Sequence, residues 1–364
     1  MGAQNVASMG IGAAHVSGMG NLMRYIHIDS VEPGEHLGRT IFSGNGTILL
    51  SSGVQLTVYM INTLNRIGVT MIYIKDPLYE DVEIVEVVSE ETKRAIMQRM
   101  GETFNSIRSG KDFNTKLING SIDHFLDEVM KNKEVLLQLS DIRTKDNEMY
   151  VHALNVSMMA ALIGIQMNLP LNQLRELAIG AMLHDIGKVE LITDDTSEDL
   201  KRHHTWRGFE ILKNKRELSL LIAHTAFQHH EKMGGTGIPR ALTGDQIHLF
   251  ARIVAVANTY DNLLFESPTG GRMLPHEACE QMMVLAGDVL DRDIVIQFLR
   301  TVSVYPTGIS VKLSTRETGV VVGQHRGLPG RPIVRVVKSS GDDLDVIEID
   351  LAKHNTVFID NVLQ

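Results

Sequence analysis

An adjacent histidine and aspartate, His184-Asp185, lie in the run Ala181-Met182-Leu183-His184-Asp185-Ile186-Gly187-Lys188. At the end of a helix both side chains can face one pocket. The imidazole then supplies a nitrogen ligand and the carboxylate can bridge two cations. One such dipeptide arises by chance in many chains, so its company carries the reading. His152 lies upstream, His203-His204 and His229-His230 lie downstream, and Asn258-Thr259-Tyr260-Asp261 follows. Histidines and carboxylates held at helical intervals are what a non-haem di-metal site needs.

The elements that must hold these residues are mostly helical. From Glu90 to about Arg300 the chain has apolar residues at three- and four-residue steps. Helices are expected over 90–107, 121–131, 147–167, 174–184, 223–231 and 251–264, the fourth ending at the His-Asp pair. Pro170 closes the third, and Gly187 stands where the chain must turn tightly. No alternation of strand and helix is visible, so a helical bundle is preferred to a parallel sheet. Residues 23–89 read as a small β-rich domain, with strands near 24–28, 47–50 and 71–75 and one helix over 58–67. Turn signals Pro33-Gly34 and Gly44-Asn45-Gly46 separate them. After Pro306 short β-type runs at 311–313, 319–322, 333–337 and 346–349 indicate a second small β domain, 306–364. The fold class is therefore mainly α: a helical domain, 90–305, flanked by small β-rich N- and C-terminal domains.

Bulk properties fit a cytoplasmic protein. The chain has 364 residues, enough for two or three domains, with 43% hydrophobic and 22% charged residues. A net charge of −9 argues against a non-specific DNA or RNA binder, though not against an anionic substrate held by local cations. The single Cys279 excludes an intrachain disulfide and a cysteine-rich zinc site, and fits a reducing compartment. Residues 1–22, rich in Gly, Ala, Met and Ser and without Lys or Arg, read as a disordered leader rather than a signal peptide. The apolar stretch 156–171 is broken by Ser157, Gln166, Asn168 and Pro170, so no membrane span is expected.

The set His152, His184-Asp185-Ile186-Gly187-Lys188, His204, His229-His230-Glu231 and Gly235-Thr236-Gly237-Ile238-Pro239 resembles an HD-GYP domain over roughly residues 140–305. That family is the cyclic di-GMP-degrading branch of the HD metal-dependent phosphohydrolases. The resemblance implies an HD-type bundle and assigns roles. Asp185 would bridge two metals, with His184 and His152 on the first and His204, His229 and His230 around the second. His203 adjoins His204, and a register slip would exchange them. Lys188 would face the phosphate or the bridging hydroxide. Glu148, four residues before His152, is where some members hold a third metal; a surface charge at a helix N-terminus is the alternative. Two or three divalent ions are implied. Histidine-rich shells suit iron or manganese better than magnesium.

This chain departs from the family pattern in three places. The last ligand is Asn258 where the family has aspartate, which keeps an oxygen but loses the charge. Ile238 replaces the tyrosine of the GYP motif, and Gly234 the preceding aspartate. Ser267-Pro268-Thr269 stands where the family often has Arg-Pro-Tyr, with Arg272 as a replacement guanidinium. Lys188, Lys232, Arg240 and Arg272 are the candidate contacts to an anionic dinucleotide. His224 reads as a structural histidine; His248, His276, His325 and His354 read as surface or capping residues. Asp261 reads as a support of the site rather than a ligand. The 18 methionines read as adaptable core.

The function that these residues and the resemblance imply is metal-dependent hydrolysis of cyclic di-GMP to pGpG and on to GMP, with Asp185 and Lys188 catalytic. Two alternatives stand beside it: an HD phosphohydrolase of another nucleotide, and a catalytically degenerate signalling or binding module. The partners considered are cyclic di-GMP, a second copy of the chain, and a signalling protein.

Overall fold

The computed structural model describes residues 23–363, apart from 77–78, 80–81, 83, 140, 190–198, 266–271 and 341–342. The expected leader, 1–22, and the Ser267-Pro268-Thr269 segment lie outside the described residues. The chain is mainly α, with antiparallel β units before and after the helical bundle in sequence.

At the N-terminal end β1 (Met23–His27) pairs antiparallel with β4 (Met71–Lys75), from Met23 opposite Lys75 to His27 opposite Met71. β2 (Ile41–Phe42) and β3 (Ile48–Leu50) form a short hairpin. Helix α1 (Val58–Arg66) is capped by Thr57, whose hydroxyl accepts from the Met60 amide. Leu37, Ile41, Leu56, Leu64, Ile72 and Ile74 close a small core here.

The bundle runs through α2 (Glu90–Arg108), α3 (Thr115–Lys131), α4 (Glu148–Gln166), α5 (Leu171–Met182), α6 (His204–Lys213), α7 (Leu220–Gln228), α8 (Leu249–Phe265), α9 (Pro275–Leu285) and α10 (Arg292–Leu299). Helix α3 begins six residues before the expected start, because Asn114 caps it by accepting from the Lys116 amide. Helices α6, α9 and α10 were not individually anticipated; each has only eight to eleven residues, too few turns for a clear periodic signal. Helix α4 is the axis, packing against α2, α3, α5, α8 and α10. It is apolar on every side, as a helix surrounded by helices must be, and Tyr150 through Gly164 are all buried. Among the described residues it is the one helix long and apolar enough to cross a membrane, and here other helices cover it.

The C-terminal unit is a five-stranded antiparallel sheet in the order β8-β7-β6-β5-β9. Its strands are β5 (Ser310–Leu313), β6 (Thr318–Gly323), β7 (Ile333–Ser340), β8 (Asp343–Asp350) and β9 (Ile359–Leu363). Val311, Leu313, Val321, Val334 and Val336 form its core.

The loop before α4 ties the N-terminal unit to the bundle. Asn147 Nδ2 donates to the carbonyls of Phe42 and Ile142 at 2.7 and 3.1 Å, and the Gly44 amide donates to Asp146 at 2.6 Å. This anchoring places Arg143 against α8, where it meets Asp261.

Candidate metal centre

Helix α5 ends at Met182, so His184 and Asp185 occupy the tight turn that follows rather than the helix itself. The short 3-10 turn Ile186–Val189 continues from them. Glycine is required at position 187. A Cβ there would lie 2.0 Å from the His204 carbonyl oxygen and 2.7 Å from the Gly208 amide nitrogen. The bare backbone lets the first turn of α6 press against the His-Asp turn and brings His204 to Asp185.

Five histidines converge on Asp185 in two groups. His152 and His184 have their Nε2 atoms 3.2 Å apart, and each lies 3.5 Å from Asp185 Oδ2. On the other side His204 and His229 lie 3.1 and 3.5 Å from Asp185 Oδ1. His204 Nε2 stands 3.3 Å from His229 Nε2 and 3.1 Å from His230 Nε2. The carboxylate thus presents one oxygen to each group. Asp185 Oδ1 is buried and has no hydrogen-bond partner, which is costly unless something else satisfies it.

Helix ends and carbonyls set the ring orientations. His184 Nδ1 is 2.7 Å from the Ala181 carbonyl, and His229 Nδ1 is 2.8 Å from that of Ala226. A carbonyl only accepts, so the proton sits on Nδ1 and the Nε2 lone pair faces inward. His152 Nδ1 meets Asp261 Oδ2 at 2.5 Å with the same result. Asp261 is fully buried and held in turn by Arg143, whose guanidinium donates to both its oxygens at 2.5 Å, and by Asn155 Nδ2 at 3.1 Å.

The electrostatics favour cation binding. Burial holds His184 and His230 well below the ordinary histidine value and lowers His229 too, so these rings stay neutral and keep their lone pairs. Burial alone would raise the Asp185 carboxyl. His184, Lys188, His152 and His204 outweigh it and hold the group well below the usual carboxylate range. His152 is the exception: burial opposes its charge, but hydrogen bonds to Asp185 and Asp261 overcome that and raise it to about 9, so in the metal-free site its Nε2 carries a proton that a cation must displace. For Asp261 the Arg143 and His152 contacts outweigh burial and lower it to about 2.

These residues fit metal ions. The ligand atoms of Asp185, His204, His229 and His230, and those of His152, His184 and Asp185, lie within 4.8 Å of one another in each group. Two atoms each about 2.1 Å from one ion stand about 3.0–3.4 Å apart at octahedral to tetrahedral angles. The nitrogen separations of 3.1–3.3 Å match that spacing, whereas opposed imidazole lone pairs gain nothing from it by themselves.

The remaining expected residues fall in different places. His204, not His203, faces Asp185. His203 caps α6, its Nδ1 accepting from the Thr205 amide at 3.3 Å. Lys188 Nζ donates to Asp185 Oδ2 at 2.7 Å. Glu148 opens α4 but joins neither group. Asn258 is buried on α8, one turn before Asp261, and its Oδ1 accepts from Asn262 Nδ2 at 3.2 Å. Lys232 and Arg240 are exposed on the loop after His230. Arg272 does not reach the histidines; it is exposed and donates to the Thr70 hydroxyl. His248 is a capping residue, its Nδ1 accepting from the Phe250 amide at 3.2 Å.

Three contributors were missed from sequence. Arg143 and Asn155 hold Asp261 from 118 and 106 residues away, with no local pattern to mark them. Glu231 was noted only as part of a motif. Its carboxylate accepts from the Arg240 and Leu242 amides at 2.8 and 2.9 Å and so folds the glycine loop back. It helps to explain why α7 stops at Gln228, three residues before the expected end. Gly237 packs so closely on Glu231 that a Cβ would lie 2.4 Å from its Cα.

This arrangement defines a class. Residues 130–294 match the HD domain and residues 310–364 the KOW domain associated with HD domain. The chain therefore contains an HD domain followed by its companion KOW domain. It is 28% identical over 287 residues to the cyclic di-GMP phosphodiesterase PA4108 of Pseudomonas aeruginosa, covering 76% of this chain and 68% of that one. It is 31% identical over 189 residues to a cyclic di-GMP phosphodiesterase of Thermotoga maritima, covering 49% of this chain and 50% of the relative. The chain thus spans about half the length of the second relative. Among solved structures, Bd1817, an HDG"Y"P protein from Bdellovibrio bacteriovorus, aligns with a TM-score of 0.46 and 16% identity, over 76% of this chain and 98% of that one.

Proposed function

We propose that this protein is a metal-dependent phosphodiesterase that hydrolyses cyclic di-GMP to linear pGpG and then to GMP. The observation that carries the reading is Asp185, with one oxygen toward each of two groups of inward-facing imidazoles. The likeness to two cyclic di-GMP phosphodiesterases supports the substrate. His152, His184 and Asp185 would hold one divalent ion, and Asp185, His204, His229 and His230 the other, iron or manganese by donor type. When bound, such ions supply positive charge to the phosphodiester and lower the pKa of water.

The chain's own residues do the rest. Asp261 and the carbonyls of Ala181 and Ala226 hold three rings in the tautomer that points Nε2 inward. Lys188, beside Asp185, places an ammonium group where an anionic substrate must approach. Lys232 and Arg240 add exposed cations on the loop that follows His230. Hydrolysis adds one water across a P–O ester bond: the oxygen goes to phosphorus and a proton to the departing ribose oxygen.

The domain reading is that residues 90–305 carry the chemistry while 23–89 and 306–364 regulate or pack against it. Asn258 keeps a second reading alive, a module that binds without turnover, because a neutral amide oxygen holds a cation less tightly than a carboxylate. Anaerobically purified protein loaded with manganese or iron and given cyclic di-GMP decides between them. Chromatography should show pGpG from wild type and none from Asp185→Ala, which should also lose its metal while remaining helical. Absence of product with excess of either metal, from both wild type and Asn258→Asp, rejects the phosphodiesterase.

A further inference from the structure

A cavity of about 360 Å³ opens where the N-terminal strands, the helical bundle and the C-terminal sheet meet. Its size lies in the range of about 300–1,000 Å³ typical of small-molecule sites. Tyr25 and Tyr73 come from β1 and β4, Leu139 and Phe265 from the bundle, and Val362 from β9. None of its lining residues belongs to the histidine groups.

One buried polar group in this apolar setting lacks a partner, and one cation stands at its edge. Ser303 is 2% exposed, lines the cavity, and its Oγ has no hydrogen-bond partner. A buried hydroxyl left so is destabilising unless a guest satisfies it. Arg272 stands at the mouth, donating to the Thr70 hydroxyl and lying 5.5 Å over the Phe265 ring. No carboxylate among the described residues lies within ion-pair distance of its guanidinium.

We infer that this cavity binds a small monocarboxylate with an aromatic body, its ring among Tyr25, Tyr73 and Phe265 and its carboxylate toward Arg272, with Ser303 as a second polar anchor. Aromatic walls favour ring-on-ring contact, and a guanidinium with no carboxylate partner among the described residues favours an anion. The neighbourhood gives the site consequence. The Phe265 ring also carries the Arg143 guanidinium, at 3.5 Å, and Arg143 holds Asp261. Helix α8 therefore carries both a wall of the cavity, Phe265, and the support of His152, Asp261.

The test uses the full chain and 4-phenylbutyrate as probe, by titration calorimetry. One saturable site per chain is expected. The neutral analogue 4-phenylbutanol should bind about tenfold more weakly, as should 4-phenylbutyrate to Arg272→Gln, the worth of one charge-assisted hydrogen bond. Leu139→Trp, which puts an indole into the space that the probe's ring would take, should weaken binding at least tenfold. Ser303→Ala separates a ligand contact from a structural role. It should weaken the probe about two- to tenfold while leaving the melting temperature unchanged or raised, since it removes an unsatisfied hydroxyl. No saturable binding at millimolar probe overturns the inference. So does binding that Arg272→Gln and Leu139→Trp both leave unchanged while circular dichroism shows them folded.

Discussion

Replacing Asp261 with asparagine separates a residue that shapes the metal site from one that merely packs. The wild-type carboxylate accepts from Arg143 twice, from His152 Nδ1 and from Asn155. The substituted amide would keep one acceptor oxygen and turn the other into a donor facing donors. The buried Arg143 cation then loses its counter-charge, which costs about 3–5 kcal/mol when one partner of a buried pair is removed. A second route gives a smaller bound. A carboxyl lowered from 3.8 to about 2 on folding contributes about 2 kcal/mol at neutral pH. Because the folded value is the depressed one, that contribution is complete above the unfolded value near 4 and is lost as pH falls through about 2. Urea unfolding at pH 7 should therefore show a loss of roughly 2–5 kcal/mol, and the variant should lack this part of the wild-type acid sensitivity. The His152 ring also loses the acceptor that keeps its proton on Nδ1. Manganese affinity, read by calorimetry, should fall about 10–100-fold, as for other supports of ligating histidines. Adding Arg143→Met should restore stability but not metal affinity. An Asp261→Asn protein that is less stable yet binds manganese within about twofold of wild type would refute the orienting role.

Three further outcomes follow from the same geometry. Gly187→Ala places a methyl group 2.0 Å from the His204 carbonyl, so α6 must move; we expect a loss of about 3 kcal/mol or more in thermal unfolding and lower metal content by elemental analysis, and an unchanged melting temperature counts against the contact. Cys279 is buried, and burial pushes its thiol up to about 12, so at pH 8 it should resist a thiol-disulfide reagent in the native protein and react promptly in guanidinium; equal rates would contradict its burial. Asn258→Asp should tighten metal binding and raise cyclic di-GMP hydrolysis at limiting metal, and identical metal titrations for the two proteins would show that position 258 takes no part in holding the ions.

Much of this protein is legible in its sequence, because the relevant signals are local. The helical texture of the bundle, the β character of both flanks and the tight turn at Gly187 rest on residue spacing and turn chemistry within a dozen positions. Spacing together with the family resemblance singled out His152, His184, Asp185, His204, His229 and His230, all of which the fold gathers. What spacing cannot do is join distant segments. The choice of His204 over His203 depends on the close backbone approach that Gly187 permits. Glu148 shares a helix with His152 yet joins neither group, since lying one turn apart on a helix does not bring two side chains to the same point. Arg272 was matched to a missing guanidinium by sequence position, but tertiary packing turns it toward Thr70. Arg143 and Asn155 left no sequence mark, because their partner Asp261 lies more than a hundred residues away. The junction cavity is likewise invisible in one dimension, for its walls come from the N-terminal strands, the bundle and the C-terminal sheet. Residue type and local period determine which chemistry is available; only the packing of α4, α5, α6, α7 and α8 decides which atoms meet.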